Sequence, residues 1–299
     1  MRFTVWNTGA DPLEYIAIAK AAEAAGWDSL CLNEGTFQPE RQEDSIYPFT
    51  ADGTRSWSSD APFLEPMILL PAVATHTERL RYLTFVLKLP LREPLTFGKQ
   101  VATAAILMGN RLDLGVGMSW MPQEFQYCGL DWDTRKERFV EAIDVLRLVL
   151  TGEMVEYHGR VFNFGRLMER PVPSEPVPIF IGGHKKQSLQ LAAKFANGWC
   201  GVPSPLADTI KLVNQLKGEV EAAKRPWQNF KVHAGALDAQ TIEDYAKLEE
   251  AGVTDCIVMP WMKALRDAGN DALGMPLSRR VELLQEFAEE TIRPLRGTS

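Results

Sequence analysis

The chain lacks the motifs of the common hydrolases and nucleotide-dependent enzymes. It contains no Gly-x-Ser-x-Gly sequence, no His-Glu-x-x-His helix and no Walker loop, so it predicts no serine nucleophile, catalytic zinc ion or bound nucleoside triphosphate. Histidine is scarce as well, and the four residues are His76, His158, His184 and His233. A single histidine is more often structural than catalytic, but His184 and His233 gain weight because they lie at the ends of predicted strands.

Cysteine is equally scarce, and the four residues lie far apart at Cys31, Cys128, Cys200 and Cys256. Their spacing matches no metal-binding pattern, so we predict no metal site. Three of them lie in apolar, strand-like runs, where a thiol behaves as a small hydrophobic group. We expect all four to be reduced, and for Cys128, in a polar loop, we favour a structural role over a catalytic one.

Long apolar runs and basic blocks are also missing. No stretch approaches the length of a membrane span, and residues 1–6 lead directly into a strand-like run without the pattern of a signal peptide. The net charge is -7, and no segment concentrates lysine or arginine. We therefore expect a cytoplasmic protein with neither membrane nor nucleic acid among its partners.

What the chain does have is a regular alternation of strand and helix signals over its 299 residues. About eight strand–helix pairs can be counted, which is the number that a closed parallel barrel needs. No linker or change in composition divides the chain. We predict an α/β fold, a single (β/α)8 TIM barrel over residues 1–299 with insertions in its strand-to-helix loops. The predicted strands are residues 3–6, 29–32, 80–87, 112–116, 179–181, 199–201, 231–234 and 255–259.

Helix boundaries are marked by capping signals. A helix opens at Asp11-Pro-Leu-Glu14 and closes at Gly26, and the same pattern returns from Thr241 to Gly252. The clearest amphipathic helix covers residues 135–150, with a predicted capping box from Thr134 to Glu137. Its charged residues, Glu141 among them, are predicted to form a solvated face.

Two segments exceed the barrel repeat, and such insertions are where barrels build their chemistry. Residues 36–62 are long, polar and aromatic, with Phe37, Tyr47, Phe49 and Trp57, and we predict a lid. Residues 154–170 are typical of a small hairpin, which is as consistent with packing as with function.

Two predicted strands end in glycines, at Gly115-Val-Gly117 and at Gly182-Gly183. Glycine allows positive φ and lets a ligand approach the backbone. A helix begins after Gly183, and its free N–H groups together with Lys185 suit a phosphate. We predict a ligand site at these strand ends, whereas Lys186 is predicted to be a surface charge.

Several short segments, which together extend over most of the chain, follow one another in a distinctive order and spacing. These are Ala25-Gly-Trp-Asp-Ser-Leu30, Leu89-Pro-Leu-Arg-Glu-Pro94 with Lys99-Gln, residues 111–120 followed by Glu124-Phe125, residues 135–141, 152–159 and 178–184, Ala192-Ala193 and Asn197-Gly-Trp199. In this order and spacing they resemble the luciferase-like, flavin- or deazaflavin-dependent oxidoreductases, which are single barrels.

The resemblance implies reduced FMN or the deazaflavin F420 across the C-terminal end of the barrel, near a non-proline cis peptide in strand three. The protein would supply position, electrostatics and exclusion of water, while the flavin supplies the redox chemistry. The implied cofactor-binding residues are Thr84, Phe85, Val86, Gly117, Ser119, Trp120, Gly182, Gly183, His184, Lys185 and Ser204.

One departure from the family concerns the position after strand two. Many relatives carry Asp-His there, whereas this chain has Asn33-Glu34. We take Asn33 and Glu34 as the candidate catalytic residues. Glu34 could replace the imidazole as acid or base if burial raised its pKa, and a purely structural carboxylate is the equal alternative. An F420 tail would need Lys88, Arg92 or Lys185 near the opening.

The function expected is oxygen insertion into, or hydride transfer with, a small organic substrate. A separate flavin reductase would supply electrons in the first case, and relatives usually form homodimers. Two alternatives stay open: a barrel that binds flavin without catalysis, and a lyase or isomerase that acts on a phosphorylated metabolite. Tyr47, Phe49, Trp57 and Trp261 favour an apolar or aromatic ligand.

Overall fold

Eight parallel strands close into a barrel in the computed structural model of the protein, which describes residues 1–7, 11–40, 46–50, 52–55, 57–267 and 275–297. The barrel closes where Arg2 to Val5 of the first strand lie beside Asp255 to Val258 of the last. The predicted TIM barrel is confirmed. Its strands are β1 (Arg2–Trp6), β2 (Ser29–Leu32), β3 (Arg81–Thr84), β4 (Leu112–Gly117), β5 (Ile179–Gly182), β6 (Gly198–Cys200), β7 (Lys231–Ala234) and β8 (Asp255–Val258).

Helices surround the barrel, and their ends follow the capping signals of the sequence. The Asp11 side chain accepts a hydrogen bond from the Leu13 N–H, and Thr241 forms the predicted capping box with Asp244. Gly26 adopts the left-handed conformation that ends the first helix. The barrel helices are α1 (Tyr15–Ala25), α2 (Pro66–Ala74), α3 (Pro94–Leu107), α4 (Arg135–Val149), α5 (Lys186–Phe195), α6 (Leu206–Ala222), α7 (Ile242–Ala251) and α8 (Leu277–Phe287).

Shorter helices and strands lie in the loops between the barrel elements. The predicted hairpin is confirmed as Val155–His158 paired with Asn163–Leu167. No helix of the described ranges is both long and apolar enough to cross a membrane. The other short elements are the helices Pro122–Tyr127, Met262–Asp267 and Arg293–Arg296, the π-helix Ala288–Ile292, and the single-turn 3-10 segments Pro12–Glu14, Leu89–Leu91, Trp132–Thr134 and Trp227–Asn229.

Two predictions about α4 are wrong. Thr134 makes no capping bond to the helix, because its backbone is already helical (φ -82°, ψ -5°) and not extended as at an N-cap; its hydroxyl donates to the Asp131 carbonyl at 2.7 Å. Glu141 is not simply solvated, since its carboxylate accepts the backbone N–H groups of residues 160–162 at 2.8 to 3.0 Å. These three bonds attach the hairpin to α4, and they hold the pKa of Glu141 below its usual value.

The third strand also differs from its prediction as one run over residues 80–87. It breaks after Thr84, and a short strand, Leu87–Lys88, then pairs with β4. The peptide bond between Phe85 and Val86 is cis, as the family resemblance implied. At the break the Thr84 hydroxyl donates to the Gly115 carbonyl and accepts from the Gly115 N–H, both at 2.8 Å. The side chain thus replaces the missing strand pairing.

The interior of the barrel has a charged lower end and an apolar middle. At the lower end Arg81 binds Asp113 through two nitrogen atoms, and Arg2 pairs with Asp255. Above them lies an apolar cluster made of Cys31, Leu83, Phe85, Phe180, Cys200 and Ile257. The three cysteines predicted in strands are buried and Cys128 is exposed, and all four are free thiols.

His233 belongs to the lower end and not to the strand ends where the sequence suggested it. It is fully buried in β7 beside Asp255, the first residue of β8, with Nε2 at 3.8 Å from the carboxylate. Burial lowers its pKa, and the Asp255 carboxylate opposes this only in part. His233 is therefore a neutral core residue at neutral pH.

Candidate functional site

The upper end of the barrel, where the strands terminate, is called the mouth. Its floor consists of Val86 between two glycines: a Cβ atom on Gly117 would lie 2.8 Å from Val86 Cγ2, and one on Gly182 would lie 2.9 Å from Val86 Cγ1. Phe85 packs edge-on against Trp6 of β1, with ring centroids 6.0 Å apart. Larger residues at either glycine would displace Val86, so the floor depends on their small size.

The start of α5 borders this floor. Gly183 has φ +116°, and its carbonyl accepts the Trp199 indole N–H at 2.8 Å. No side chain caps α5, whereas the first N–H of α6, on Leu206, donates to Asp238 at 2.7 Å. Lys185 at this start is exposed. The N–H groups of α5 are therefore the ones available to an anion. Lys186 faces away, exposed and 3.9 Å from Glu219, as predicted for a surface charge.

The hydroxyl groups of Ser204 and Thr84 are less available to a ligand than the other predicted site residues. Ser204 follows β6, where its hydroxyl donates to the Val202 carbonyl at 3.2 Å. Thr84 is fully buried, and both of its hydrogen-bonding roles are used on Gly115. The Thr84 hydroxyl thus shapes the backbone beneath the mouth and is not directed at a ligand.

Asn33 and Glu34 lie at the end of β2 in different settings. The Asn33 side-chain oxygen accepts the Trp6 indole N–H at 2.7 Å, and because indole only donates, this bond fixes which end of the amide faces Trp6. The Glu34 carboxylate forms an ion pair with Arg92 and accepts the Lys88 N–H at 2.7 Å. Its side chain is only 6% exposed. These contacts favour the structural alternative for Glu34.

A second buried ion pair lies beside the floor. Lys88 is opposite Gly117 in the strand pairing, and its ammonium group binds Glu124, which is fully buried. The Ser119 hydroxyl donates to the other Glu124 oxygen at 2.7 Å and accepts the Met121 N–H at 3.1 Å. Ser119 itself has φ +68°. This network fixes the loop after β4.

The lid segment, residues 36–62, extends across the mouth through its aromatic side chains; residues 41–45, 51 and 56 lie outside the described part of the chain. Tyr47 contacts Trp120 after β4 at 5.2 Å between ring centroids, and Phe49 contacts His184 after β5 at 4.9 Å. Tyr47 also packs on Trp57 at 4.9 Å. The predicted lid thus brings its rings to two of the predicted site residues, and burial raises the pKa of Tyr47 to about 12.

Two of the three cations predicted to bind an F420 tail are already paired with carboxylates. Lys88 binds Glu124, and Arg92 binds Glu34 and Glu65. Among the residues named for an F420 tail, only Lys185 is exposed at the mouth. The buried pairs were missed from sequence because their partners are 36 and 58 residues apart, and no local pattern marks them.

The family described as luciferase-like monooxygenase matches residues 3–251. The chain belongs to the luciferase-like monooxygenase family. An uncharacterised protein from Mycobacterium tuberculosis is 37% identical over 98% of this chain and 99% of its own length.

Two further relatives carry functional names. The F420-dependent glucose-6-phosphate dehydrogenase of Nakamurella multipartita is 31% identical over 72% of this chain and 60% of its own length. The F420-dependent tetrahydromethanopterin reductase of Methanopyrus kandleri has a similar fold, with a TM-score of 0.72, 16% identity and coverage of 98% of this chain and 99% of that one. The latter likeness concerns the fold alone.

His184 completes the mouth of this luciferase-like barrel. Burial lowers its pKa to about 4, and a hydrogen bond to the Val202 backbone opposes the shift in part. The ring is therefore neutral at neutral pH and offers no positive charge to a ligand. In the described ranges, no group of three or more His, Cys, Asp or Glu side chains is placed to hold a metal ion.

Proposed function

We propose that this chain is an oxidoreductase that binds reduced FMN or F420 across the mouth and acts on a small organic substrate. Membership of the luciferase-like family supports this assignment. The observation that carries it is the floor of Gly117, Val86 and Gly182 beside the uncapped start of α5. A planar ring needs the small residues, and a phosphate needs the free N–H groups.

The residues of the mouth would divide the work of binding. Val86 and the two glycines would hold the ring, while Lys185 and the α5 N–H groups would hold the phosphate. A bound flavin or deazaflavin would supply hydride or oxygen chemistry. The rings of Tyr47 and Phe49 would exclude water from the mouth.

Proton transfer at the end of β2 would differ from that in relatives that carry a histidine at this position. Asn33 can donate a hydrogen bond to a substrate oxygen through the amide nitrogen that Trp6 leaves available. An amide does not carry a proton, and Glu34 is engaged by Arg92 and the Lys88 N–H. We assign Asn33 to orienting the substrate and Glu34 to positioning the loop after β3.

We favour reduced FMN with insertion of one oxygen atom, because Lys88 and Arg92 are paired and do not offer their charges to an F420 tail. Electrons would then come from a separate reductase. F420-dependent hydride transfer is the second candidate, and the 31% identity with an F420-dependent dehydrogenase supports it. The homodimer, the single domain over residues 1–299 and the cytoplasmic location stay predictions.

The test is anaerobic equilibrium dialysis of the protein against an equimolar mixture of reduced FMN and F420. We expect retention of FMN; retention of F420 would support hydride transfer instead. Retention of neither would reject both and favour the non-redox barrel.

A Gly182→Val variant should lose retention, since its side chain would collide with Val86. Gly218→Ala is the matched control, because a Cβ atom there meets nothing within 4 Å. Equal retention of the cofactor by Gly182→Val and the wild type would show that the cofactor binds elsewhere.

A further inference from the structure

Two ring nitrogen atoms in the aromatic cluster of the mouth are shielded from solvent without a hydrogen-bond partner in the described part of the chain. They are Nε1 of Trp57, on the lid segment, and Nε2 of His184, at the end of β5. The intervening rings are Tyr47 and Phe49: Trp57 packs on Tyr47, Tyr47 on Phe49 and Phe49 on His184. Buried nitrogen atoms normally have partners, so this pair points to a ligand.

The two nitrogen atoms have opposite hydrogen-bonding roles. An indole nitrogen only donates, so Trp57 Nε1 requires an acceptor. The His184 ring is neutral, as its lowered pKa of about 4 indicates, and it bonds to the Val202 backbone. Because this bond raises the pKa, it favours the protonated ring, so the ring donates it to the Val202 carbonyl and the other ring nitrogen, Nδ1, carries the proton. His184 Nε2 is then an acceptor and requires a donor.

The described side chains that pack around these rings are aromatic. Tyr47 packs against Trp120, and Trp57 packs against Phe63 at 5.7 Å. Among the described residues of the lid segment, the cation Arg55 hydrogen-bonds to Gln38 and lies over the Trp57 ring. Lys88 and Arg92 are paired with carboxylates. These neutral rings are suited to stacking on another aromatic ring.

We infer that the substrate is an uncharged aromatic compound with a hydroxyl group that donates to His184 Nε2 and a carbonyl group that accepts from Trp57 Nε1. This inference rests on the proposed function for the reaction, but it makes a separate statement about binding. It assigns Trp57 and His184 as residues that select the substrate.

The first test measures dissociation constants by equilibrium dialysis of the cofactor-loaded protein with three probes. 4-Hydroxyacetophenone has both groups, acetophenone lacks the hydroxyl, and glucose 6-phosphate has neither ring nor ketone. We expect 4-hydroxyacetophenone to bind about two- to tenfold more tightly than acetophenone, the effect of one neutral hydrogen bond. Glucose 6-phosphate should bind more weakly than both. Equal affinity for the two ketones, or a preference for glucose 6-phosphate, overturns the inference.

The second test uses variants that keep a ring and remove one nitrogen atom. Trp57→Phe should weaken binding of both ketones about two- to tenfold, because both carry the carbonyl. His184→Phe should remove the difference between the two ketones. Trp227→Phe is the control: Trp227 stacks on Phe230 before β7, at the opposite end of the barrel, and should change neither constant. A preserved preference in His184→Phe contradicts the assignment.

Failure of the inference is distinguishable from failure of the proposed function. Retention of FMN or F420 without selectivity among the probes rejects the substrate class and leaves the redox assignment intact. If neither cofactor is retained, dialysis of the protein alone still measures the three probes. Selectivity for 4-hydroxyacetophenone in that case supports the aromatic site and rejects the redox assignment.

Discussion

The buried pair between Lys88 and Glu124 provides a quantitative test of how the mouth is held together. Glu124 is fully buried, and the Lys88 side chain is only 10% exposed. A Glu124→Leu substitution removes the carboxylate and leaves the ammonium group without a charged partner. Ser119 loses its acceptor as well.

The expected cost follows from these contacts. Removal of one partner from a buried ion pair typically lowers the free energy of unfolding by about 3–5 kcal/mol. We expect this loss for Glu124→Leu and for Lys88→Met separately. The double variant leaves no unpaired charge, so its loss should be smaller than the sum of the two by about 2–3 kcal/mol.

The assay is equilibrium urea unfolding of the wild type, the two single variants and the double variant. The exposed pair of Arg279 and Glu286 is the control, since the side chains are 44% and 50% exposed. Glu286→Ala should change the free energy of unfolding by at most about 1 kcal/mol. Losses in the single variants as small as this control, or losses that simply add, would refute the reasoning.

Three further predictions concern His184, Gly183 and Glu141. Because the folded pKa of His184 is about 4 against an ordinary 6.5, the unfolded chain binds the extra proton between these values. Stability should fall by about 1–3 kcal/mol as the pH drops from 6.5 to 4, and unfolding curves of His184→Phe should show a smaller fall. Gly183→Ala should destabilise the protein by about 1–3 kcal/mol in urea, because φ is +116° and the new Cβ would lie 2.7 Å from Ser188 Oγ. Glu141→Ala should speed amide hydrogen exchange of residues 160–162 about tenfold or more, since three N–H groups lose their acceptor.

Each of these predictions has a matched comparison. Identical pH profiles for wild type and His184→Phe would show that His184 titrates normally. Gly218→Ala, in the middle of α6 with open space around it, should stabilise by about 0.4–1 kcal/mol; equal effects at the two glycines would contradict the φ argument. Glu137→Ala removes only an exposed contact to Arg160 at 4.0 Å and should leave exchange unchanged.

Much of the barrel was predictable because its signals are local. Caps such as Thr241 with Asp244 involve residues three positions apart. The ends of two strands are marked by glycines that can be read directly from the sequence. The prediction of a capping box at Thr134 was wrong because the turn Trp132–Thr134 runs directly into the helix and gives Thr134 helical backbone angles. The prediction of a single strand over residues 80–87 was wrong because the Thr84 side chain takes over the pairing with Gly115.

The sequence by itself determined the order of strands and helices and the family, because periodicity and capping act over a few residues. It also displayed the glycines at the strand ends where we propose the site. Only the tertiary structure decided which charges are available at the mouth. Lys88 meets Glu124 and Glu34 meets Arg92 across 36 and 58 residues, and His233 lies at the charged lower end. Charge pairing and burial depend on which strands become neighbours when the barrel closes, and no local pattern encodes that neighbourhood.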